Sequence, residues 1–409
     1  MVAVSASAVA PRRGPLAWAR RNLFSTPLNT ALTIVLGLGL ALAVRALVRF
    51  VTSADLTILR VNLALFMVGT FPRPQLWRVA VAMVILAIVG GLVAGLVWAS
   101  AAARAREAGL TPKRPAGPLA LTRRFWPLLL LIVACLGLTE TLNPTLVVAV
   151  ALSAGYLAYA GCRHWPAGLR RWLWLVVLAG PLVAYWVLSA SGLGWDDWGG
   201  FMLNIFLTFA GIAFAFPVGV LLALGRRSSL PLVKALSVSF IELVRGVPLI
   251  TLLLLGAFAL GFFLPTSLRP SDVTRVLVVI TVFESAYIAE VIRGGLQAVP
   301  PGQTEAAQAL GLSPLRITQL IVMPQALRAT IPAMVGQFIS LFKDTTLVAA
   351  VGLGDVLAAS SFANSQPMFN AQGLARITLP FVALVFWSGS YAMSREARRL
   401  ERRLGIGER

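Results

Sequence analysis

The sequence predicts an all-α fold, a polytopic transmembrane helical bundle of about ten spans, on three observations. Hydrophobic residues make up 58% of the 409 and charged residues only 12%, against roughly 45–50% and 25% in soluble domains. The apolar residues gather into runs of about 20, the length that crosses a bilayer as a helix. The 35 Lys and Arg exceed the 15 Asp and Glu, for a net charge of +20, yet they lie between the runs rather than in one patch. Membrane topology accounts for this charge better than a nucleic-acid surface does, so the expected partner is the lipid bilayer and no nucleic acid.

The runs fall near residues 28–48, 79–99, 125–139, 144–161, 172–190, 201–224, 247–264, 274–292, 329–352 and 375–394. Arg12, Arg13, Arg20 and Arg21 precede the first, which exceeds the 7–15-residue core of a cleavable signal and reads as a retained span. The run at 125–139 is the weakest: it is short, ends in Thr139, Glu140 and Thr141, and suits a tilted or re-entrant helix. Without it and its neighbour the count is eight, and the orientation downstream is unchanged. With the N-terminus inside, 25 basic residues fall in cytoplasmic segments and seven outside, so both termini are expected in the cytoplasm. Four of the seven, Arg49, Arg60, Arg73 and Arg78, crowd the loop after the first run.

Several chemistries are poorly served. Cys135, Cys162 and the single histidine, His164, do not make a multi-ligand metal centre, and both cysteines read as small apolar residues of helices. The three lysines, Lys113, Lys234 and Lys343, follow Pro, Val and Phe, so no Gly-Lys-[Ser/Thr] phosphate loop exists. No catalytic residue, metal or cofactor is expected in this chain, which reads as non-enzymatic.

The chain divides in two. Residues 1–195 form an N-terminal extension of about five spans without a motif tied to chemistry. Residues 196–409 begin within the aromatic, acidic Trp195-Asp196-Asp197-Trp198-Gly199-Gly200 and carry five further spans, interrupted by charges, Gly and Pro. Function is expected there, above all in the cytoplasmic loop at about 294–324. In it, Thr304 to Leu310 suits a short helix and Gly311 the left-handed residue that ends it. Ser313 suits an N-cap with Pro314 at the first helical position, and the second short helix is expected to stop at Pro324. Ala306, Ala309 and Leu310 share one face, so the loop makes a rigid knob for a partner's groove or, on pattern alone, an ordinary amphipathic loop at the membrane surface.

Glu305, Ala306, Ala307, Gly311, Ile321 and Pro324, at the spacing EAA-x3-G-x9-I-x-x-P, resemble the EAA motif of the membrane subunits of bacterial ATP-binding cassette importers, with Met323 where that motif has Leu. The resemblance implies a type I importer core of five spans whose loop couples to a separate dimer of ATP-binding subunits, which would use the ATP and Mg. Glu242 to Leu249, Ala286 to Gly295, Pro324 to Arg328 and Phe342 to Leu347 resemble signatures of the polar amino acid uptake branch. The extension, Trp198-Gly199-Gly200 and Gly225-Arg226-Arg227-Ser228 are most similar to the larger M-type subunits of general L-amino acid importers. That likeness implies a second homologous permease, a periplasmic or extracellular binding protein, an amino acid substrate and the inner (plasma) membrane of a bacterial cell.

Charges inside spans cost about 2.5–3.5 kcal/mol each on insertion scales, so each needs a partner or a wet cavity. The candidates for the substrate path are Arg245, Glu284, Ser285, Glu242, Lys343 and Asp344. An Arg fork suits a substrate carboxylate, and carboxylate or hydroxyl oxygens suit its ammonium. Pro248 lacks an amide proton, so the helix is expected to break there beside Gly246. Glu242 and Arg245 also fit a plain i,i+3 ion pair, and Lys343 and Asp344 a structural pair with another span or subunit. Glu284, mid-span, fits the path, and Glu290 an anchor at the start of the loop. The alternative from another class is an ion-coupled secondary amino acid carrier with Glu284, Arg245 and Asp344 as a relay.

Overall fold

The computed structural model describes residues 15–109, 111, 117–139, 143–162, 173–259, 265, 269–370 and 372–404. Arg12, Arg13, Lys113, Glu140, Thr141, His164 and the end of the seventh run at 260–264 lie outside them. Among the described residues the chain is helical throughout its ordered elements, as its apolar runs require. It forms two compact units, Met1–Leu56 and Thr57–Arg409.

The first unit holds α1 (Pro15–Asn22) and α2 (Pro27–Ser53). Thr26 starts α2: its hydroxyl accepts the Asn29 amide at 3.1 Å, and Pro27 takes the first helical position, where no amide proton is needed. At 1.5 Å per residue α2 is about 40 Å long, more than the roughly 30 Å hydrocarbon core of a bilayer.

The second unit opens with α3 (Thr57–Val68), a helix inside the stretch that reads from sequence as an external loop. Twelve residues are too few for a span, which is why hydropathy passes over it, yet Ile58, Leu59, Asn62 and Phe66 are buried. There follow α4 (Leu76–Glu107), α5 (Pro118–Arg124), α6 (Trp126–Gly137), α7 (Asn143–Gly161) and α8 (Leu173–Ser189). The weak third run is α6, 12 residues long, and α5 before it makes with it a pair bent by 87°. Gly91 and Gly155 let α4 and α7 approach so closely that a Cβ on either would strike the other's backbone.

The second half comprises α9 (Gly200–Arg226), α10 (Pro231–Arg245), α11 (Leu249–Leu254) running into a π turn to Ala259, and α12 (Asp272–Ala298). After them come α13 (Pro301–Ala309), α14 (Pro314–Ile317), α15 (Met323–Asp344), α16 (Val356–Ser365) and α17 (Ala375–Leu404). Among the described residues six helices are long and apolar enough to cross a membrane, and two bent pairs raise this to eight. The other two expected runs are α8, apolar throughout but 17 residues long among those described, and α12, which is long but carries Asp272, Arg275, Glu284, Glu290 and Arg293.

The core sits between α9, α12 and α15. Leu203, Leu207, Leu253, Val276, Ile280 and Leu341 bury one cluster, and Ala215, Ile241, Ile288, Ile292 and Ala326 a second. Gly219 makes the α9–α12 contact possible, since a Cβ there would lie 2.9 Å from the Ser285 carbonyl oxygen. The Trp195–Asp197 turn starts α12: the Asp196 carboxylate accepts the Val273 amide at 3.2 Å and the Trp195 indole donates to Ser271.

Within the second unit, helices that precede Trp195 are bonded to this core. α3 packs against α9 and α16, Asn62 and Gln366 exchange side-chain amide hydrogen bonds of 3.2 and 2.6 Å, and Phe66 meets Phe381 edge-on. α6 lies on α17, where Trp126 meets Trp387 and Tyr391, and Arg124 pairs with Glu396.

Candidate functional site

The loop between α12 and α15 folds as a short helical hairpin. α13 starts at Pro301, which has no amide to satisfy, and ends at Gly311 with φ +74°, a left-handed conformation that costs other residues roughly 1–2 kcal/mol. The Leu312 amide then reaches back to the Ala307 carbonyl at 3.2 Å and the Gly311 amide to Gln308 at 2.9 Å, closing the helix end. Ser313 and Pro314 start α14 as expected, although the Ser313 hydroxyl makes no capping bond.

Pro324 does not stop the second helix. A π turn over Thr318–Val322 follows α14 without a break, and α15 begins at Met323 with Pro324 in its first turn. The wider turn removes the need for the amide that proline lacks. Gln325 ties the junction together, donating to the Ile321 carbonyl at 2.9 Å.

Ala307 and Ile317 are the buried residues of α13 and α14, at 2% and 3% exposure. Glu305, Ala306, Ala309 and Gly311 are exposed and Ile321 is half-buried. Leu310 is 80% exposed, and Leu315 and Leu320 stand out beside it. An apolar tip with one carboxylate beside it, presented on a braced turn, is shaped for a groove.

Two turns of α12 before the loop, the ends of α9 and α10 converge on Glu290. Arg293 of α12 donates to it from Nε at 2.9 Å, Arg226 of α9 lies at 3.4 Å and Arg245 of α10 at 3.7 Å. Arg226 also pairs with Glu242 at 3.0 Å. The expected Glu242–Arg245 pair is thus not the arrangement: each takes its partner from another helix, and the Arg245 guanidinium stacks on Tyr287, 5.5 Å from the ring centre. Single exposed pairs contribute about 0–1 kcal/mol, so the meaning of this cluster lies in what it links. Arg245 ends α10, and α11 leaves at 101° after Gly246, Val247 and Pro248, the break that Pro248 predicts.

Glu284 is 1% exposed. One oxygen accepts from the Gln337 amide of α15 at 3.1 Å, and the other is buried without a hydrogen-bond partner. Ser285 is buried and its hydroxyl is spent on the Val282 carbonyl. Lys343 is exposed and Asp344 half-buried. The structure therefore brings Arg245, Glu242 and Glu290 together toward one end of α12 and sets Glu284 with Gln337 farther along it.

Sequence reading misses a buried polar knot. Asn204 donates to Asp355 at 3.0 Å and to Thr345 at 3.1 Å and accepts the Val356 amide, while Asp355 caps α16 through the Ala358 amide at 2.8 Å. The available signal is Asn204 alone within an apolar run, and Asp355 after Gly354 at a helix start.

These features define a class: a helical membrane protein that presents a braced helical knob between two long helices. Residues 215–406 match the family described as "Binding-protein-dependent transport system inner membrane component". The chain is 37% identical to the glutamate/glutamine/aspartate/asparagine transport system permease protein BztC of Rhodobacter capsulatus, over 97% of this chain and 96% of that one. It is 41% identical to the inner membrane amino-acid ABC transporter permease protein YhdY of Escherichia coli K12, over 57% of this chain and 64% of that one. A chain of a crystal structure of an amino acid ABC transporter with histidines is 29% identical, with a TM-score of 0.45, over 50% of this chain and 92% of that chain. The chain belongs to the amino-acid ABC transporter permeases, a family of multi-pass inner membrane proteins.

Proposed function

We propose that this permease forms, with a second homologous permease, the path of an importer for polar or general L-amino acids, driven by separate ATP-binding subunits and fed by an external binding protein. The observation that carries the reading is the hairpin around α13. Its two short helices bury Ala307 and Ile317 and leave Glu305 and Leu310 exposed for a partner. Both termini lie in the cytoplasm on this reading, which puts the knob on the same side as ATP. The chain itself hydrolyses nothing and needs no metal or cofactor of its own.

Accessibility tests this directly. In a Cys135→Ser, Cys162→Ser background, Leu310→Cys is expected to react with a membrane-impermeant maleimide in inside-out vesicles and not in right-side-out ones. Stripping the ATP-binding subunits is expected to raise the labelling. Labelling from the outside, or labelling indifferent to those subunits, contradicts the proposal.

A further inference from the structure

We propose that Glu290 is a positioning residue for transport: with Arg226, Arg245 and Arg293 it forms a clasp that carries displacement of the α13 hairpin to the helix break at Gly246–Pro248, and that lets Arg245 go when the cytoplasmic end of the path opens. This rests on the coupling reading above.

The geometry supports each link. Glu290 and Arg293 stand on α12, which runs on unbroken to Ala298, with only Val299 and Pro300 before α13. Eight residues of helix, about 12 Å, thus join the carboxylate to the hairpin as one stiff rod. Arg245 is the last residue of α10, immediately before the break, so its guanidinium is the side chain through which α12 can pull on that hinge. The contacts are graded. Arg293 is held within α12 itself, Arg226 bridges Glu290 and Glu242, and Arg245 makes the longest contact, with its Nε buried and without a hydrogen-bond partner. When Arg245 withdraws, Glu290 keeps two cations, and Arg245 keeps the Tyr287 face. Neither charge is stranded, so the link has two tolerable states, which a switching contact requires.

The test is a double-mutant cycle in the assembled transporter in proteoliposomes, reading ATP hydrolysed per amino acid taken up. Glu290→Gln and Arg245→Gln are each expected to raise that ratio about two- to thirty-fold, with the ATP-binding subunits still co-purifying in full. The double variant is expected to be no worse than Glu290→Gln alone, because both remove one link, and Arg245→Lys is expected to recover most of the coupling. A merely structural role would lower hydrolysis and uptake together in step with surviving complex and leave the ratio unchanged. That result, additive effects of the two variants, or loss of the ATP-binding subunits overturns the clasp. Uptake by the parent without any ATP-binding subunit would instead overturn the coupling reading on which it rests.

Discussion

Glu305→Lys is expected to abolish ATP-driven uptake while leaving the membrane protein folded. Glu305 lies in the middle of α13 with its side chain exposed, and the helix is anchored through Ala307 rather than through the carboxylate. The helix end is closed by backbone bonds around Gly311 that the substitution does not touch. Folding therefore loses almost nothing. Docking loses a great deal, because a groove that accepts a carboxylate is polarised for negative charge, and a like-charge contact costs several kcal/mol, which is about a hundred-fold or more in affinity. The measurement is co-purification of the ATP-binding subunits together with uptake. Both are expected to fall by that order, with melting of the isolated permease unchanged. Normal uptake with a full complement of ATP-binding subunits would remove the knob from the mechanism.

Glu284→Gln is the second large effect. A carboxylate buried to 1% exposure, with one oxygen on Gln337 and the other without a hydrogen bond, has no ion-paired cation among the described residues. Such a group is costly in a span, and an amino acid's ammonium is the cation that would compensate it during passage. The amide variant keeps the shape and the Gln337 contact but loses the charge-assisted bond, worth about 1.5–3 kcal/mol, or roughly ten- to a hundred-fold in transport rate. Uptake is expected to drop by that factor while the protein melts no lower than the parent, since a buried charge has been removed. A variant that transports normally, or that fails to fold, would make Glu284 a packing residue.

Much of this architecture was legible in the apolar runs, because a span must be a helix: no other single segment satisfies its own backbone in lipid. The break at Pro248 and the left-handed Gly311 followed from what proline lacks and glycine permits. What stayed hidden was tertiary. α3 carries no span signal because it is short and contains Arg60, and its buried face is decided by α9 and α16. Pro324 read as a stop because the π turn that absorbs it has no compositional mark. The partners of Glu242 and Arg245 lie on α9 and α12, beyond any i,i+3 rule. The Asn204–Asp355 knot joins residues 151 apart, a distance that no local pattern spans.

On the proposed function, transport by this permease is powered through the α13 hairpin by ATP hydrolysed on other subunits. Its most direct test is uptake into proteoliposomes holding both permeases, with the ATP-binding subunits and ATP on the hairpin side and a loaded binding protein on the other. Accumulation is expected only with ATP and those subunits present, and to be indifferent to imposed proton or sodium gradients. Accumulation driven by an ion gradient in the absence of the ATP-binding subunits would contradict the account and favour a secondary carrier.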